Sequence, residues 1–148
     1  MPVRSRRGRV LLAAASALYL AGVASLTLGP QPEAAGGTLV ALGDWFAGWQ
    51  GTAWLTFAVL EFVANIVLFV PLGVLWVAWT GPRRWWLAAL GGLALSGAIE
   101  ATQALALPDR FPDVRDLVAN TLGALIGAAV TAAAGRLRRR ARAPRPAQ

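Results

Sequence analysis

Neither cysteine nor histidine occurs anywhere in the chain, and lysine is missing as well. Without cysteine there is no disulfide and no thiolate ligand; without histidine a Ser-His-Asp triad and a His-ligated zinc site are excluded. Any chemistry falls to carboxylates, amides, hydroxyls and arginine. Charge is scarce too: 14% of the 148 residues are charged and 57% are hydrophobic, whereas soluble domains carry about 25% charged residues. That balance disfavours water as the main solvent.

All fourteen basic residues are Arg, against seven acids: Glu33, Asp44, Glu61, Glu100, Asp109, Asp113 and Asp116. An excess of base suits nucleic acid when the Arg residues share a soluble folded face. Here they flank long apolar runs, so the expected partner is the lipid bilayer and no nucleic acid is expected.

Four stretches reach the length of about 20 residues that a helix rising about 1.5 Å per residue needs to cross a hydrocarbon core of about 30 Å. They run from about 10 to 28, ending at Gly29-Pro30; 57 to 79, ending at Gly81-Pro82; 85 to 107, ending at Pro108; and 117 to 134, ending at Gly135. Helices suit such spans because they satisfy their own backbone groups where no water can.

Arg4, Arg6, Arg7 and Arg9 precede the first span, Arg83 and Arg84 join the second to the third, and Arg136, Arg138, Arg139, Arg140, Arg142 and Arg145 follow the fourth. One side thus holds twelve of the fourteen Arg residues, which the positive-inside bias makes the cytoplasmic side. Trp45, Trp49 and Trp54 fall near the outer interface, and Trp76, Trp79, Trp85 and Trp86 bracket the cytoplasmic turn, as aromatic belts do. The expected fold is all-α: a polytopic integral membrane helix bundle of about four transmembrane helices with both termini cytoplasmic. Residues 1–9 form a basic N-terminus, 10–137 a single transmembrane domain with an outer loop at 29–56, and 138–148 a basic disordered tail that touches anionic headgroups.

Two segments admit alternatives. The basic start of the first span and its small residues Val23-Ala24-Ser25 also fit a cleaved signal peptide, but the apolar run exceeds the usual h-region of about 7–15 residues. In the outer loop, Leu39, Leu42, Trp45, Phe46 and Trp49 follow helical spacing, as in a short helix on the membrane surface; Gly36-Gly37, Gly43, Gly48 and Gly51 equally suit a flexible linker.

An ionisable group inside a bilayer costs about 2.5–3.5 kcal/mol even on lenient scales, so each needs a partner, a wet cavity or a function. Glu61 and Asn65 share a face of the second span, Glu100 and Gln103 a face of the third, and Asp116 and Asn120 a face of the fourth. All lie in the outer halves, and the connector from Pro108 through Arg110 and Asp113 to Asp116 forms a rim above them. The ligand-binding candidates are therefore Glu61, Asn65, Glu100, Gln103, Arg110, Asp113, Asp116 and Asn120. The same groups also serve as interhelical glue, with Glu100 and Arg110 as a structural ion pair. Pro71 removes a backbone donor and predicts a kink in the second span; Gly73 is a further structural position. Gly123 and Gly127 form a small-residue face for packing within the bundle or for dimerisation.

The segments 65–73, from Asn65 through Pro71 to Gly73, and 96–103, from Ser96 through Glu100 to Gln103, are followed by Arg110 through Asp113 and Asp116 to Asn120-Thr121-Leu122-Gly123. In that order and spacing they resemble the VanZ-like family, from about Glu61 to Gly127. The resemblance implies a bacterial inner or cytoplasmic membrane protein, and its founding member is associated with resistance to the glycopeptide teicoplanin. Arg115 departs from the pattern, where a polar or acidic residue is expected.

The leading expectation is a non-enzymatic protein binding an envelope lipid, a glycolipid or an amphiphilic glycopeptide antibiotic, with Arg110 meeting an anionic group. The alternatives are an intramembrane enzyme on a lipid-linked envelope intermediate, with Glu100 or Asp116 as general acid or base, and a scaffold or oligomer built through small-residue helix faces. No activated nucleophile, no specific metal-ligand cluster and no cofactor motif is visible.

Overall fold

The computed structural model describes residues 5–29, 32–49, 51–52, 54–106 and 113–141. These residues fold as α1 (Arg6–Leu28), α2 (Pro32–Ala47), α3 (Phe57–Thr80), a 3-10 turn (Pro82–Leu87), α4 (Ala88–Ala106) and α5 (Val114–Ala141). The class is all-α, as expected. Three helices, α1, α3 and α5, are long and apolar enough to cross a membrane. The third expected span coincides with α4, which is not one of those three; its 19 residues extend about 28 Å and include Glu100 and Gln103.

Several boundaries differ from the sequence expectation for local reasons. α1 starts before the apolar run because the Ser5 hydroxyl caps it, accepting the Gly8 amide at 3.2 Å. α3 stops where expected: Gly81 adopts φ 85° and returns its N–H to the Val77 carbonyl at 2.8 Å, a conformation that favours glycine. The third span begins later than residue 85, because Pro82 opens a 3-10 turn containing Trp85 and Trp86 before regular helix resumes at Ala88. α5 runs through Gly135 to Ala141, so the basic tail expected from 138 is helical at its start. A lone glycine without a following left-handed turn or proline does not terminate a helix. Residues 142–148 lie outside the described residues. The 29–56 segment contains α2, which resolves its alternatives in favour of a helix, and Trp45 and Trp49 are exposed on and just after it. α3 continues through Pro71 as a single helix.

The pairings fix the helix directions. Along α3 and α5, Ile66 faces Gly123 and Val70 faces Gly127, so these two run parallel. α4 opposes α5, with Gly92 against Ala124 and Ser96 against Asn120. α1 opposes α3, with Ser16 at Trp79 and Tyr19 at Leu68. α1, α3, α4 and α5 thus alternate in direction, so the start of α1, the 3-10 turn and the end of α5 gather at one end of the bundle with their Arg residues.

Lipid tails are as apolar as leucine, so helices in a bilayer associate through close packing rather than through burial from water. The buried face of α5 is accordingly small: Ala119, Asn120, Gly123, Ala124, Gly127, Ala128 and Ala132. A Cβ on Gly123 would collide with the Ile66 carbonyl oxygen, one on Gly127 with that of Val70, and one on Gly73 with that of Ala124. These glycines pack α3 onto α5 inside one chain. On the other side, Phe69 is fully buried with Val23 and Ile99, joining α1, α3 and α4. Leu11, Leu18, Leu90, Leu105 and Val130 stay exposed, as lipid-facing side chains do.

Candidate functional site

At the end opposite the Arg-rich one, polar side chains from α3, α4 and α5 and a main-chain carbonyl of α1 meet in three links. Asn65 Nδ2 on α3 donates to Asp116 Oδ1 on α5 at 2.7 Å. Asn120 Nδ2, one turn further along α5, donates to Ser96 Oγ on α4 at 2.8 Å. Gln103 Nε2, near the end of α4, donates to the Thr27 carbonyl oxygen of α1 at 2.8 Å. The spacing of four between Asp116 and Asn120 does not make them partners; it sends one to α3 and the other to α4.

Burial grades inward. Asp116, Asn65 and Glu61 are half-buried, whereas Ser96, Glu100 and Asn120 are 1%, 8% and 6% exposed. Among the described residues, Asn120 Oδ1 and Thr121 Oγ1 are buried with no hydrogen-bond partner. A buried acceptor left unpaired costs about 1–3 kcal/mol, and here the Asn120 amide spends its donor on Ser96 while its oxygen remains available. Glu100 lies one helical turn from Ser96 on the same buried face of α4.

The remaining candidates take other places. Asp113 is exposed and its Oδ1 accepts the Arg115 amide at 2.8 Å, the bond of an N-cap residue; it starts α5. Arg115 is exposed beside it. Arg110 lies outside the described residues, as does the rest of the connector at 107–112. Glu61 reaches the same end of the bundle one turn before Asn65. Among the described residues there is no group of three or more acids that could hold a metal ion.

Two contributors went unassigned in the sequence. Ser96 precedes Glu100 by four and so shares its face, a periodicity that was there to be used. Thr27 contributes a main-chain carbonyl, which no side-chain pattern announces. The site leaves the buried Asn120 carbonyl oxygen open as an acceptor, while the Asp116 carboxylate already accepts from Asn65. It suits a group that donates hydrogen bonds, such as a hydroxyl, amide or ammonium.

A family model described as VanZ/LLP1 matches residues 16–135. That range takes in α2, α3, α4 and all three polar links, and omits only the first turns of α1 and the end of α5. Neither comparison, with curated proteins or with solved structures, gives a match.

Proposed function

The chain belongs to the VanZ/LLP1 family, and from that premise we propose that it is a four-span protein of the bacterial cytoplasmic membrane that binds a polar headgroup at the extracytoplasmic end of its bundle. α4 crosses with the other three: it lies antiparallel to α5, its Glu100 is turned inward, and its Gln103 is tied to α1. The Arg-rich end, with Arg6, Arg7, Arg9, Arg83, Arg84 and Arg136, faces the cytoplasm.

The observation that carries the binding role is the buried, unpartnered Asn120 carbonyl oxygen beside the buried Ser96 and Glu100. Glue alone calls for paired groups, whereas an orphaned acceptor at the bottom of an acceptor-rich cluster suits a donor brought by a ligand. The ligand class is an envelope glycolipid or lipid with hydroxyl or amide groups, or an amphiphilic glycopeptide, which connects the site to glycopeptide resistance. A scaffold acting through Gly123 and Gly127 is disfavoured, since both are buried against α3.

Glu100→Gln and Asp116→Asn, each purified folded, test this. Native mass spectrometry should find less retained envelope lipid than in the wild type, and expressing cells should change in glycopeptide sensitivity. Unchanged lipid retention and unchanged sensitivity in both variants would remove the site.

A further inference from the structure

At the opposite end of the molecule, α1 and α3 part. Val23 is the buried residue of α1 among the described residues, and toward its start α1 is tied to α3 by the bond from Trp79 Nε1 to Ser16 Oγ at 3.1 Å. Between them lies a groove of about 310 Å³ bounded by Ser16, Tyr19, Leu20, Leu75, Trp76 and Thr80 among others. Its walls are aliphatic and aromatic, and it follows α3 from Leu72 to Thr80, about 12 Å of helix.

The groove ends at fixed positive charge. Arg83 and Arg84 follow Thr80 within four residues and are exposed, and the groove-lining Trp76 donates its Nε1–H to the Arg84 carbonyl oxygen at 3.2 Å. That bond ties the Arg84 main chain to a residue of the groove wall. On the α1 side, Arg6 and Arg7 with Val10 and Leu11 line a second recess, and Arg9 lies seven residues, about two turns, before Ser16. Among the described residues no acid lies in α1, in the last five turns of α3 or in the 3-10 turn, so this charge is uncompensated locally.

We propose that this groove is a binding site for an anionic phospholipid, one acyl chain lying between α1 and α3 and the phosphate meeting Arg83 and Arg84. Apolar contact supplies fit rather than preference, because any tail is equally apolar; preference for anionic over zwitterionic lipid comes from the Arg groups. The tryptophans hold the chain at headgroup depth. The proposal uses the membrane-spanning arrangement but none of the polar site at the other end.

The test is native mass spectrometry of the full chain in detergent, titrated with an equimolar mixture of phosphatidylglycerol and phosphatidylcholine of matched acyl chains. The wild type should retain phosphatidylglycerol preferentially. Arg83→Gln with Arg84→Gln should lower that preference about twenty-five-fold, at about fivefold for each Arg near a membrane surface. Leu20→Trp, which fills the groove and keeps every charge, should also lower it. Equal retention of the two lipids by wild type overturns the site. So does a preference that ignores the Arg pair, or one that ignores Leu20→Trp, the signature of charge acting without a groove. A preference lost only in Glu100→Gln would move the lipid to the polar end and overturn it as well.

Discussion

Replacing Gly127 by alanine would put a methyl group where the Val70 carbonyl oxygen already stands. The obstacle is backbone, so no rotamer change relieves it; α3 and α5 must separate or slide. Overpacking of this kind costs about 1–3 kcal/mol, and for a chain of this size each kcal/mol moves a melting midpoint by about 2–4 °C. Gly127→Ala should therefore melt about 2–12 °C below the wild type. The internal control is Gly97→Ala: Gly97 also lies within a helix, but a Cβ there meets nothing within 4 Å, and alanine gains up to about 1 kcal/mol of helix propensity. Its midpoint should hold or rise. Both are read by far-ultraviolet circular dichroism on detergent-purified protein. A Gly127→Ala midpoint at or above wild type, or equal falls in the two variants, would refute the close α3–α5 contact.

Two further outcomes follow from the polar links. A double-mutant cycle of Ser96→Ala and Asn120→Ala should give a coupling of about 0.6 kcal/mol and at most about 1.7 kcal/mol, the average and the maximum for interhelical hydrogen bonds in membranes; additive single effects would mean the pair does not interact. Gln103→Leu frees the Thr27 carbonyl from its link to α4, so amide exchange should quicken in the last two turns of α1 and stay unchanged in the buried middle of α5.

Much of the architecture was legible in the chain because membrane helices are constrained by length and solvent. The run from Phe57 to Trp79 had to be helical, and Gly81-Pro82 had to end it, since these are local properties. Predicting the limits of α5 failed for the complementary reason: Gly135 weakens a helix by only about 1 kcal/mol, which does not end one unless its surroundings require a turn. The candidate site was legible as a depth and as a set of faces. Its pairing was not, because Asp116 and Asn120 share one helix face yet lie under two different neighbours.

The sequence by itself determined that this is an apolar helical protein with its bases massed at one end and its acids and amides within the helices at the other. Composition and order suffice there, since hydropathy and the spacing of Arg act residue by residue. Only the tertiary structure decided that Asn65 joins Asp116, that Asn120 joins Ser96 and keeps a free acceptor, that Asp113 is a cap, and that Gly123 and Gly127 are consumed by α3. Those outcomes depend on the rotation and register of one helix against another, which packing of the small residues sets for the whole bundle at once.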